Sequence, residues 1–173
     1  MTPNSLQELY VEQLKDLYDA EQQIIKALPE MIDAASSPDL KGALTEHLEI
    51  TQTQVTRLDQ IFAALGVKAK GETCKGIKGV IEEGSDLLGD IDAADVRDAA
   101  IIASAQRVEH YEMAGYGTAR SYATLLGEDE ASQLLQQTLE EEKEADQGLT
   151  ILASAINVKA TAGEMVEDEE NAA

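Results

Sequence analysis

Arg107-Val108-Glu109-His110-Tyr111-Glu112 lies in the middle of a long helical pattern that runs from Asp95 to Leu126. Its neighbours are mostly small or apolar: Ala99, Ala100, Ile102 and Ala103 before it, Met113, Ala114 and Gly117 after, with Gln106 the polar exception. Residues three apart share a face of a helix, so Glu109 and Glu112 project together from a face that otherwise reads as core. Carboxylates in a core are costly unless a cation, a proton or a metal compensates them. The fold therefore turns on whether other segments bring carboxylates to the same depth.

Working outward, three more segments read as long helices. The first spans about Ser5 to Ala35 and opens with Ser5-Leu6-Gln7-Glu8, a capping-box pattern that satisfies free N–H groups. Its apolar stripe is Leu6, Leu9/Tyr10, Leu14, Leu17, Ile24, Leu28 and Met31/Ile32, with Glu21 falling on that stripe. Pro29 lies inside the pattern, which predicts a kink or a break into two helices. Ser37 and Pro38 read as the cap and first position of the second helix, which Gly66 stops. Its expected stripe is Leu40, Leu44, Leu48, Thr51, Val55, Leu58, Phe62 and Leu65, with His47, Glu49 and Gln52 as polar candidates beside it.

Residues 66 to 95 form the one long connection. Its apolar residues suggest a short helix, about Cys74 to Leu88, crossing the bundle, so that helix three runs parallel to helix two. Cys74 has no partner cysteine and reads as a structural or surface thiol. After Gly127 a fourth long helix runs from about Glu130 to Asn157, and Glu142 and Asp146 occupy positions where the repeat calls for leucine. Glu140, Glu141 and Glu144 read as solvated. Tyr111, Tyr116 and Tyr122 line the third long helix; they could touch the site, but packing with an outward hydroxyl is the more common use of tyrosine. Residues 1–160 thus form one domain, and 161–173, with Glu167-Asp168-Glu169-Glu170, an acidic disordered tail.

Composition narrows the function. The 34 acidic and 13 basic residues leave a net charge of −21, which disfavours nucleic acid and anionic membranes and suits cations. A single cysteine excludes an intramolecular disulfide framework and a Cys-rich zinc site, and makes a reducing, cytoplasmic setting the expectation. The N-terminus carries no Sec-type signal pattern, and no stretch approaches the ~20 apolar residues that span a bilayer.

The expected architecture is all-α: an antiparallel four-helix bundle with a long crossover and a short extra helix between helices two and three. Each long helix brings at least one carboxylate to about one depth, the arrangement of di-iron and di-manganese carboxylate bundles. Expected metal ligands are Glu21, Glu49, Glu109, Glu112, Glu142 and Asp146, with His47, Gln52 and His110 as a second tier. Such oxygen ligands suit two divalent ions, iron first, with Mn, Mg or Ca as alternatives.

Tyr18-Asp19-Ala20-Glu21, His47-Leu48-Glu49, Val108-Glu109-His110-Tyr111-Glu112 with Tyr116-Gly117-Thr118, and Leu139-Glu140-Glu141-Glu142-Lys143 with Asp146 resemble the YciE/YciF family of ferritin-like bacterial stress proteins. The likeness covers about residues 5 to 157. It implies a rubrerythrin-like four-helix bundle, a dimetal centre, a homodimer and a link to stress; the name ferroxidase attaches to the family by analogy. One departure from the general ferritin-like pattern stands out. Both Glu-x-x-His motifs are absent: Glu49 is followed three residues on by Gln52 and Glu142 by Ala145, and Asp146 is the candidate to replace the second histidine. His47 and Glu49 are about 200° apart around a helix and cannot both point straight inward; His110 beside Glu109 has the same difficulty, so either histidine could be second to the ligands or on the surface.

Three readings follow. In the first, the protein oxidises Fe(II) with O2 or peroxide, Glu109 and Glu142 bridging and Glu21, Glu49, Glu112 and Asp146 terminal. In the second, a non-enzymatic stress-related bundle keeps a structural Mg or Ca, or a vestigial site, and acts through protein interaction. In the third, every acid lies at the rim of an ordinary bundle. No feature suggests the contacts of a 24-subunit storage shell.

Overall fold

The computed structural model describes residues 3–170, with side chains through residue 161. Among the described residues all regular structure is helical: α1 (Leu6–Ala34), α2 (Pro38–Leu65), α3 (Lys75–Gly89), α4 (Ala94–Leu126) and α5 (Asp129–Glu170). The four long helices pack in a closed cycle, α1 on α2, α2 on α5, α5 on α4 and α4 on α1, while α3 covers α1 and α4. Pairings across α4 and α5 run in opposite senses, Gln106 meeting Asp146 and Arg120 meeting Gln136. Across α2 and α5, Gln54 meets Glu142 and Arg57 meets Thr138, again antiparallel.

The helix ends form where local chemistry provides for them. The Ser5 hydroxyl accepts from Glu8 N at 3.1 Å, and Glu8 in turn accepts from Asn4 N at 2.7 Å, one residue before the usual reciprocal partner. Ser37 accepts from Leu40 N, with Pro38 at the first turn. Gly66 (φ 66°) and Gly127 (φ 78°) take the left-handed conformation that ends α2 and α4. Asp98 of α4 ties the α1–α2 turn down: its two carboxylate oxygens accept from Ser36 N at 2.7 Å and Ser37 N at 2.8 Å.

Three boundaries differ from expectation. α1 passes Pro29 without breaking, the proline being on an exposed position of a helix held by packing on both sides of it. The last helix continues past Asn157 to Glu170, so the acidic segment read as a disordered tail from residue 161 is helical as far as Glu170; its end, residues 171–173, lies outside the described residues. The inward stripe of α2 is rotated from the expected one. The buried positions are Leu40, Leu44, His47, Thr51, Gln54, Leu58 and Ile61, alternating steps of four and three, whereas Leu48 and Val55 are only half-buried. The expected stripe held Thr51 but left out two polar members, His47 and Gln54.

The apolar core is divided. One cluster gathers Tyr10, Leu14, Leu17, Leu58, Phe62 and Leu135 at one end. The other gathers Ile24, Leu28, Leu44, Ile101, Ile102 and Leu149 with Ile77 of α3. On every long helix the residues between these clusters include a buried polar one: Glu21, His47 to Gln54, Glu109 and Glu112, and Glu142.

Candidate metal centre

The layer between the two clusters is where the carboxylates meet. One ligand atom each from His47, Glu109, Glu112 and Glu142 lie within 4.8 Å of one another, and all four residues are buried. Glu21 is fully buried beside them and is acted on by Glu112 and Glu142. Helical spacing places them: Glu109 and Glu112 share a face of α4, and Glu21 and Glu142 occupy stripe positions of α1 and α5 that would otherwise hold leucine.

Internal donors are too few for these acids. The Tyr116 hydroxyl donates to Glu21, and Gln54 Nε2 donates to Glu142. Glu112 receives nothing on either oxygen, and one oxygen each of Glu21, Glu109 and Glu142 is buried without a partner. His47 Nε2 stands 3.4 Å from Glu109 without hydrogen-bond geometry, and both of its ring nitrogens are unpartnered. Burial, and then the neighbouring carboxylates, push Glu21, Glu109 and Glu112 well above the usual carboxylate range; for Glu109, contact with Glu142 contributes after burial. Burial lowers His47 from 6.5, against the opposing pull of Glu142 and Glu141, so the imidazole is neutral at pH 7 and able to ligate. Burial and the facing acids Glu21 and Glu112 raise Tyr116, keeping it a hydrogen-bond donor.

Such a site has two ways to relieve its charge: protons shared between facing carboxyls, or cations. Unpartnered oxygens and an imidazole converging on one space fit a divalent metal.

Several expected ligands lie elsewhere. Glu49 and Gln52 are exposed on the outside of α2, because the helix turns His47 inward instead. Asp146 is half-buried at the rim, accepting from Gln106 Nε2 at 3.0 Å with His110 at 3.3 Å. It does not replace the missing histidine; His110 is largely exposed and belongs to the surface. His47, read as second tier, enters the cluster, so the donor set is not nearly all oxygen. Glu141 is not merely solvated: Arg57 grips both its oxygens at 2.5 and 2.6 Å and also reaches Thr138. Gln54, Arg57 and the Tyr116 contact escaped the sequence reading; the spacing 47, 51, 54, 58, 61 was the available signal for Gln54. Cys74 is structural, buried at the start of α3 with its sulfur 3.0 Å from the Tyr111 hydroxyl.

Residues 5–162 match the family described as Domain of unknown function (DUF892). The chain belongs to that family. It is 41% identical over 162 residues to Protein YciF of Escherichia coli K12, covering 92% of this chain and 98% of YciF. The crystal structure of the E. coli stress protein YciF superposes with a TM-score of 0.87 at 40% identity, covering 91% of this chain and 99% of that one. YcfI of Rhodopseudomonas palustris, for which a structural role has been suggested, superposes at 0.83 with 48% identity over 85% of this chain and 94% of its own.

Proposed function

We propose that the chain is a ferritin-like four-helix bundle that holds divalent metal, two ions with iron preferred, and oxidises Fe(II) as part of a bacterial stress response. The ligands are Glu21, His47, Glu109, Glu112 and Glu142. The observation that carries this reading is the set of converging buried ligand atoms that lack internal partners. Glu109 and Glu142, which act on each other across the α4–α5 seam, are the candidates to be shared between ions. Tyr116 orients Glu21 and Gln54 orients Glu142, as partners of ligating carboxylates do. Bound iron supplies one-electron chemistry: two Fe(II) give one electron each to dioxygen, which takes two protons and leaves as hydrogen peroxide. Peroxide itself is the alternative oxidant. An imidazole among the carboxylates suits iron better than would an all-oxygen set, which leans to Mg, Ca or Mn. The family likeness extends the proposal to a cytoplasmic homodimer.

A second reading is favoured by the same two contacts. Gln54 and Tyr116 each satisfy one acid without a metal, and shared protons could neutralise more. The protein would then be a structural partner in stress, in keeping with the role suggested for YcfI. Elemental analysis after expression with supplied iron and manganese, followed by aerobic Fe(II) addition and Fe(III) absorbance, separates the two. About two transition-metal ions per chain, the occupancy of dimetal carboxylate bundles, with rapid oxidation support the first. A chain free of transition metal supports the second.

A further inference from the structure

The cluster is approached from two sides, both walled largely by apolar side chains, that differ in the number of acids they carry. On the α2–α5 side a pocket of about 210 Å³ reaches His47 and Glu109 past Glu46, Glu141 and Glu144. Those three acids stand among apolar residues such as Leu44, Ile50 and Leu149, and their charge draws a cation to this mouth. On the far side, beneath α3, a pocket of about 260 Å³ lies between α1, α3 and α4, walled mainly by apolar side chains such as Ala34, Val80 and Leu88. Behind it is a smaller void of about 20 Å³, whose only polar lining residues are again His47 and Glu109. Ala27, Met31, Ile81 and Val108 wall both spaces, so a few side chains separate the outer pocket from the inner void.

The inner void is large enough for one small molecule, with polar partners only at the His47–Glu109 side and aliphatic walls elsewhere. Met31, an unbranched and adaptable side chain, and Ile81 stand at the partition between the two spaces. We propose that the apolar seam beneath α3 is the route by which a small apolar molecule, dioxygen, reaches the His47–Glu109 side of the cluster, while cations enter through the acidic mouth. The proposal rests on the reading of the cluster as a metal centre. It also makes the two oxidants distinguishable, because peroxide is polar and is not confined to the aliphatic route. The electron count is that given above: two Fe(II) become two Fe(III), and O2 with two protons becomes H2O2.

Xenon, an apolar gas that occupies dry aliphatic cavities, probes the route in the metal-free chain. Methyl NMR under xenon pressure is expected to show shifts at Met31, Ile81 and Val108, which wall the larger pocket where it meets the void, that Ala27→Leu removes. In iron-loaded protein, Ala27→Leu is expected to slow oxidation by dioxygen about tenfold, about 1.4 kcal/mol of barrier, and to leave oxidation by peroxide and the iron content as in the wild type. Ile81→Trp, which plugs the outer pocket from the partly exposed α3, provides a second variant should the filled core fold poorly. Xenon shifts confined to other regions overturn the route, whatever the iron results. Equal dioxygen rates in wild type and both variants overturn it as well. A wild-type chain that takes up no iron instead defeats the metal reading, and delivery with it, even where xenon enters the void.

Discussion

Asp98 and Glu112 are both buried carboxylates of α4, four turns apart along one helix, and they are treated oppositely by their surroundings. Asp98 is only 2% exposed, and two backbone N–H groups donate to its two oxygens. It clamps the α1–α2 turn to α4, and its burial is compensated within the fold. Glu112 is fully buried, no group donates to either oxygen, and three other glutamates press on it. Natural structures seldom leave a buried polar group without a partner, and here a proton shared with Glu21 or a bound cation are the two ways to supply one. Burial alone therefore does not single out a candidate ligand; burial without a donor from the fold does.

The sharpest test of this contrast is metal addition. Fe(II) or Mn(II) at a hundred to a thousand times its Kd should raise the unfolding free energy of the wild type by about 3–4 kcal/mol. Glu112→Leu should lose that gain and Asp98→Ala should keep it, as followed by denaturant unfolding with and without chelator. A metal response that survives Glu112→Leu would break the comparison. Next in size, Asp98→Ala should destabilise by about 2–3 kcal/mol with or without metal, since two N–H groups of the part-buried α1–α2 turn lose a charged acceptor.

Smaller still is the effect of removing Glu112 from the metal-free chain. Replacing an uncompensated buried acid by an apolar side chain should stabilise it by about 1–2 kcal/mol near neutral pH. The pH dependence has a definite sign. Glu21, Glu109 and Glu112 have folded-state values raised above 4.5, so the folded chain holds more protons than the unfolded one once pH exceeds that value. Metal-free stability should then fall as pH rises from about 4.5 through the raised values, and Glu112→Leu should flatten the slope. His47 acts in the opposite sense just below 6.5, one group against three. Metal binding displaces those protons, so its stabilising effect should grow with pH. Smallest of all, Glu49→Gln and Gln52→Ala should leave stability and metal content as in the wild type, because both residues point to solvent. Loss of metal in Glu49→Gln would restore the ligand set expected from the sequence.

That last pair shows where one-dimensional reading ran out. Four long helices and the short crossing helix were legible from periodicity, serine caps and glycine stops, with ends within a few residues except at the last helix. Glu21, Glu109, Glu112 and Glu142 were legible because an acid on an apolar stripe is conspicuous. On α2 the inward residues His47 and Gln54 are themselves polar, so the expected stripe took their apolar neighbours Leu48 and Val55 instead. Asp146 misled for the opposite reason: it occupies a leucine-like position on α5, yet Gln106 and His110 hold it at the rim.

The amino-acid sequence by itself determined that this chain is all-helical, where its long helices turn, and that α1, α4 and α5 carry acids toward a core. Those features follow from local propensity, capping and the 3.6-residue period, which need only neighbours along the chain. Only the tertiary structure decided that His47 rather than Glu49 faces Glu109, that Tyr116 and Gln54 support two of the acids, and that Asp98 is satisfied where Glu112 is not. These depend on the rotation of one helix against another, set by packing of whole faces rather than by any residue's own preference.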